Sequence, residues 1–304
     1  MRLPVVTFAV LGVLSLASCN RGAPSATHRS PVKSTPFRAT PGFVLVRAGS
    51  FTMGSAEDEA NRYTNESQHE VTLTRGFEIS ATEVTQEAFQ AVMGYNPSHF
   101  KGCPTCPVET VSWHEAAAYC NALSAKAGLA PCYSCQGSGP AVRCDPAPAH
   151  AQAKVYDCPG YRLPTDAEWE YAYRAGTRTP YYNGTNDPRF RVDCTEVDPV
   201  TDEIGWYCAN SSARTHPARG KKPNGWGLYD MAGNVWEWCH DKYLAVLGSG
   251  KVGDPWGLAS SSMQVIRGGA WKYYSRGLRA AARAWYQPFY RGNQHGFRIA
   301  RSQH

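Results

Sequence analysis

Apolar residues fall along this chain in short blocks, separated by Gly, Pro and polar stretches. The block Phe43-Val-Leu-Val-Arg47 predicts a strand, and the AGSFTMGS stretch behind it predicts turns through Gly49 and Gly54. The acidic, polar segment from Glu57 to His69 reads as a surface loop. Glu70-Val-Thr-Leu-Thr74 and Phe77-Glu-Ile79 then read as short strands around a turn at Gly76. The period changes near Thr85, after which Phe89, Val92 and Met93 share one helical face. A second helix is predicted over 113–127, because Ser112 and Glu115 make a capping box and Gly128 supplies a stop. Thr165 and Glu168 make another box at the start of a third helix, which Gly176 ends. Asp166 and Glu168 favour the positive end of its dipole, while Trp169 and Ala172 recur at helical spacing and face the core.

The stretch from Pro223 to Cys239, PNGWGLYDMAGNVWEWC, is too rich in glycine for a helix and too interrupted for one continuous strand. It predicts a structured loop feeding a short strand, stiffened by Trp226, Trp236 and Trp238, whose indole N–H groups need acceptors. Asp230 and Glu237 add two carboxylates. Carboxylate and carbonyl oxygens turned inward suit a hard cation such as Ca²⁺, and a tight turn whose acids cap backbone N–H groups accounts for the same residues. No internal repeat or linker interrupts the chain from here to its end, so residues 42–304 read as one α+β, loop-rich domain.

Charge changes the picture only at one end. The formal net charge is +6, but residues 1–41 contain Arg2, Arg21, Arg29, Lys33 and Arg38 and no acid. That leaves 26 basic residues against 25 acidic ones, which gives the body no electrostatic case for nucleic acid. Arg2 precedes an apolar run, Val5 to Leu16, too short to span a bilayer. The run ends in Leu16-Ala17-Ser18-Cys19, which resembles the lipobox of bacterial lipoproteins, whose cysteine is lipidated and becomes the mature N-terminus. On that reading residues 1–18 are a signal peptide and Cys19 carries the lipid. Residues 19–41 are a disordered, Pro-rich tether. The expected location is the bacterial cell envelope, with attachment to the membrane through the lipid. Asn20 is not the aspartate associated with inner-membrane retention, which favours the outer membrane.

Cysteine usage follows from the export signal. Cys103-Pro-Thr-Cys106 and Cys132-Tyr-Ser-Cys135 have the spacing of zinc-binding pairs, and Cys144 and Cys158 complete a cysteine-rich insert over 131–160. Outside the cytoplasm such cysteines more often form disulfides, so disulfides are expected, with Cys120 or Cys239 as the exceptions. The spacing leaves the connectivity open.

Six strings carry a family resemblance: PVETVSW, AAAYCNALS, RLPTDAEWEYA, GLYDMAGNVWEW, RGGAW and GFRIA. Together they resemble the formylglycine-generating enzyme, or sulfatase-modifying factor, family from about residue 43 to 300. The resemblance implies that family's variant of the C-type lectin-like fold. It also implies a second calcium site on Asp230, Gly233, Val235 and Glu237, whereas only Asn210 and Ser211 match the start of the first site. In the catalytic members, two cysteines shortly after the RGGS strand bind Cu(I), and a sulfatase cysteine is oxidised with O₂. Soft thiolates suit Cu(I), yet the run Trp271-Lys-Tyr-Tyr-Ser-Arg-Gly-Leu-Arg-Ala280 contains no cysteine and Ala270 stands for the family serine.

The expectation is therefore a Ca²⁺-stabilised accessory or recognition module without copper and without a nominated catalytic residue. Its groove would lie near Trp271, Tyr273 and Arg279, and its partner would be a protein or peptide of the envelope. The alternatives are a family oxidase converting a sulfatase cysteine to formylglycine, or a non-haem metal oxidase with a relocated site. His216, His240 and His295 are too scattered in sequence to nominate as a triad. A sugar-binding lectin rests on fold analogy alone.

Overall fold

The structure is a computed structural model that describes residues 39–257 and 261–304. The apolar run Val5–Leu16, Cys19 and nearly all of the tether lie outside the described residues. In chain order the strands and helices begin with β1 (Phe43–Val46), β2 (Gly49–Met53), β3 (His69–Leu73), β4 (Phe77–Ser80), α1 (Gln86–Met93) and α2 (Trp113–Lys126). They continue with β5 (Tyr133–Gln136), β6 (Arg143–Pro146), α3 (Asp166–Arg174), α4 (Pro199–Asp202), β7 (Gly205–Trp206), β8 (Ala232–Gly233) and β9 (Trp236–Lys242). The last are β10 (Lys251–Gly253), β11 (Gln264–Arg267), β12 (Arg283–Tyr286), β13 (His295–Gly296) and β14 (Ala300–Ser302).

All three predicted helix starts are capped as their residues require. Thr85 accepts from the Ala88 N–H, and Ser112 and Thr165 each complete a two-way capping box with Glu115 and Glu168. The third helix stops at Arg174, two residues before Gly176, because Ala175 takes the left-handed conformation at φ 45°. The chain does turn at Gly54, where φ is 93°, but Gly49 opens β2, a strand paired along its whole length with β3. Pairing partners 20 residues away override the local glycine signal.

β4 pairs with β1 on one side and β14 on the other, so the two ends of the domain meet in one antiparallel sheet. β9 is central in a second sheet of order β12-β11-β9-β13, and all its residues but Lys242 are buried. It is thus longer than the short strand expected there. Core clusters lie on either side, one around Trp169, Tyr173, Tyr207 and Met231, the other around Trp113, Phe89, Trp238 and Phe297. The cysteine-rich insert forms the β5–β6 hairpin with short 3₁₀ turns. Among the described residues no helix is long and apolar enough to cross a membrane.

Candidate functional site

Glu237, on β9, holds the Trp-rich stretch together. Arg298 donates to its two carboxylate oxygens from Nε at 2.6 Å and Nη2 at 2.7 Å, and Trp169 of α3 donates from Nε1 at 2.6 Å. Arg298 Nη2 also reaches the carbonyls of Tyr229 and Asp230, at 3.0 and 3.2 Å. Asp230 has a positive φ of 54°. Its Oδ2 accepts from the Arg219 N–H at 2.8 Å, while Oδ1 is buried without a partner. Burial is the main reason its pKa rises to about 6. Gly233 cannot be another residue, since its φ is 82° and a Cβ there would meet the Trp206 carbonyl oxygen at 2.2 Å.

A third carboxylate joins them. Glu83, ahead of α1, accepts from Asn234 Nδ2 at 2.8 Å and from the Val235 N–H at 3.2 Å. Burial, then the neighbouring charges of Asp230 and Glu237, holds its carboxyl well above the usual range. It is 151 residues from Asn234. Ionised together, Glu83, Asp230 and Glu237 outnumber the Arg298 charge by two, an excess that a divalent hard cation offsets.

Two of the four expected donors have capacity for such an ion: Asp230 Oδ1 is unmet, and Glu237 Oε1 accepts a single N–H and keeps a lone pair. No group of three or more His, Cys, Asp or Glu side chains is arranged to hold a metal among the described residues, so backbone oxygens would carry much of the coordination. Asn210 and Ser211, at the start of the other family calcium site, are engaged locally. Asn210 bonds Asp202 and the Gly205 carbonyl, and Ser211 donates to the Trp271 carbonyl.

The run after Gly269 has a different character. Trp271 donates from Nε1 to the Asn293 carbonyl at 2.9 Å, and the Tyr273 ring meets Trp236 edge-on at 5.2 Å. Arg279, placed in the expected groove on sequence grounds, is fully buried. Its guanidinium is taken by Glu66 on both oxygens and by Glu59, all near 2.7 Å, so it is not offered to a ligand.

Eight cysteines pair, as Cys103–Cys106, Cys132–Cys158, Cys135–Cys144 and Cys194–Cys208, so neither Cys-x-x-Cys is a zinc pair. Cys120 and Cys239 are free, buried in separate core clusters, and burial pushes both thiols up. Two protonated thiols in separate apolar surroundings do not fit a dithiolate copper site.

From Tyr274 to Tyr290 the sequence carries a band of exposed aromatic residues. Tyr274, Trp285, Phe289 and Tyr290 are 50%, 47%, 56% and 39% exposed, four of the seven large hydrophobic residues exposed among the described ones. Tyr290 stacks on Tyr286 at 4.5 Å with His295 edge-on to both, while Trp285 packs against Tyr243 at 5.9 Å. No acidic residue follows Asp254, so the band's charged neighbours in this segment are all basic. The three histidines stay apart. His216 stacks on Trp206 at 3.8 Å, His240 bonds Tyr133, and His295 is enclosed by Trp238, Tyr286 and Tyr290.

The family profile described as "Sulfatase-modifying factor enzyme 1-like domain" matches residues 28–303. The formylglycine-generating enzyme of Streptomyces coelicolor is 29% identical over 301 residues, 91% of this chain and 95% of that protein. A protein of Paenibacillus barcinonensis named "Chaperone protein LppX" is 37% identical over 211 residues, 64% of this chain and 70% of its own length. Among solved structures, Treponema denticola variable protein 1 superposes with a TM-score of 0.71 at 33% identity, covering 86% of this chain and 95% of that one.

Proposed function

This chain belongs to the sulfatase-modifying factor family, and from that premise we propose that it is a recognition module rather than a copper oxidase. One observation carries the reading: the run after Gly269, where the oxidases hold a thiolate pair, has no cysteine here, and from that run onward the chain exposes Tyr274, Trp285, Phe289 and Tyr290, with Tyr290 backed by Tyr286 and His295. Rigid, half-exposed aromatic side chains give large contact area for little lost entropy, which is the chemistry of protein and peptide recognition. A relative named a chaperone is consistent with an accessory role. The lipobox-like Cys19 would tether the module in the cell envelope, and Ca²⁺ on Asp230, Gly233, Val235 and Glu237 would hold the floor of the domain.

Two experiments decide between module and oxidase. Reduced, Cu(I)-loaded protein incubated in air with a Cys-x-Pro-x-Arg peptide is expected to leave the thiol intact by mass spectrometry, whereas multiple-turnover aldehyde formation would restore the oxidase. A photo-crosslinking residue at Tyr290 in intact cells is expected to capture one polypeptide. Adding Trp285→Ala and Phe289→Ala should abolish the adduct. An adduct indifferent to both substitutions would remove the band from the recognition surface.

A further inference from the structure

The first two strands of the domain are both edge strands, β1 of the β1-β4-β14 sheet and β2 of the β10-β3-β2 sheet. In antiparallel pairing, alternate residues bond the partner strand and those between them point outward. The Ser80 N–H donates to the Ile299 carbonyl, away from β1, so β4 bonds β1 through Val44 and Val46 and leaves Leu45 facing outward. On β3, the Glu70 N–H donates to the Gly250 carbonyl and the Thr72 carbonyl accepts from the Asp254 N–H, both on the β10 side. β2 therefore bonds β3 through Gly49, Phe51 and Met53, and Ser50 and Thr52 face outward. Among the described residues no group bonds the backbone N–H or C=O of Leu45, Ser50 or Thr52.

Both edges line concavities. One of about 300 Å³ is walled by β1 and Arg47, and one of about 230 Å³ by Ser50, Phe51 and Thr52 of β2 and by the turn after α3. Tyr171 and Trp226, half-buried and edge-on to each other at 5.1 Å, border both. The charges there are unequal. Arg47 in the first concavity and Arg178 in the second are exposed, and neither has an ion pair or hydrogen bond among the described residues. Arg174 is already held by Glu170. Glu70, the acid on these walls, accepts from the Thr52 hydroxyl at 2.8 Å. Two free guanidinium groups against one engaged carboxylate leave the edge net positive.

An edge that offers N–H and C=O groups from residues two apart is a template for one more strand. β2 has that spacing in Ser50 and Thr52, whereas β1 offers Leu45 alone within its span. A peptide backbone in extended form supplies the matching donors and acceptors at the same repeat. Its alternate side chains then meet the walls, where two rings suit an apolar residue and two free arginines suit acidic ones. This surface goes beyond the recognition reading, since none of the four exposed aromatic residues of the last segment lines it.

We propose that the edge of β2 takes an added strand, an extended acidic peptide whose backbone pairs with Ser50 and Thr52 beside Tyr171, Trp226 and Arg178. The test uses the full chain and a blocked heptapeptide of alternating Val and Thr with Glu at both ends. Hydrogen exchange resolved by NMR follows the Ser50 and Thr52 amides, which exchange fast without peptide because nothing bonds them. With millimolar peptide both are expected to slow at least about tenfold. Methylating the peptide nitrogens at alternate positions, in each of the two registers in turn, should abolish the effect in one of them. Lys in place of both Glu residues should weaken binding about tenfold, and Arg178→Glu should reverse that preference. Arg178 is exposed and unpaired, so this variant keeps the fold and its melting temperature. Tyr290→Ala, in the aromatic band, should change nothing, which keeps this test separate from that of the recognition reading. If neither amide slows, or if both methylated peptides protect them as well as the parent, the proposal fails. Protection that grows with protein concentration in the absence of peptide would make the edge a contact between copies and would equally overturn it.

Discussion

Asp230 and Glu83 are two buried carboxyls whose folded pKa values are raised, and they lie beside the oxygens expected to take calcium. A carboxyl raised on folding favours the folded state when protonated, and that advantage disappears as pH rises through its folded value. For Asp230 the window runs from the unfolded value of about 4 to the folded value of about 6. Without a cation the cluster therefore works against the fold above that window, by an amount on the order of 3 kcal/mol for Asp230 at neutral pH. A bound divalent ion reverses the sign, because it favours the ionised carboxylates. The gain in Tm on adding Ca²⁺ to chelated protein should thus be small near pH 4 and grow through pH 6. Asp230→Asn should flatten that growth. A calcium response that is absent, or equal at all pH values, would remove the ion from this cluster. Asp230, Gly233, Val235 and Glu237 were nominated as a set by the family resemblance of their string. Glu83 was not, since nothing in its own surroundings marks a residue that meets them only across the fold.

Among the elements, α3 shows a local signal reinforced by a distant one. Thr165 and Glu168 cap the helix by themselves, and Glu168 also receives Arg162 on both oxygens, at 2.6 and 2.7 Å, in a fully buried pair. Thr165→Ala should cost about 1 kcal/mol, the usual loss of an N-cap. Glu168→Ala should cost about 3–5 kcal/mol, because it also strands a buried guanidinium. Denaturant unfolding of the two variants measures the difference, and equal losses would mean that the Arg162 pair adds nothing beyond the cap. β2 shows the reverse case. Gly49 predicted a turn, but the partner strand β3 alternates buried and exposed residues over its five positions and imposes the pairing.

At the scale of the molecule, residues 38–304 form one compact unit that brings the two ends of the domain together on β4. The string Leu16-Ala17-Ser18-Cys19 motivates a lipid anchor. Cys19→Ala should release the protein from membranes or block its processing, as read by cell fractionation and by the mass of the mature chain. Unchanged mass and unchanged membrane association would refute the lipid anchor.

The sequence by itself determined the caps, the helix starts, the family and its loop-rich α+β fold, and the expectation that the cysteines would pair. These depend on residues a few positions apart or on whole strings, and a cap is satisfied within three residues whatever surrounds it. Tertiary structure alone decided that Arg279 lies beneath the surface on Glu66, 213 residues away, that Glu83 completes the acidic cluster, and that the insert faces β9 across a cavity. It also decided which aromatic residues of the last segment are core and which are exposed. Trp271 is 8% exposed and Trp285 47%, although both stand in similar runs of Ala, Arg and aromatic residues. Burial and charge pairing are properties of surfaces brought together by folding, and adjacency in sequence does not encode which surface a residue meets.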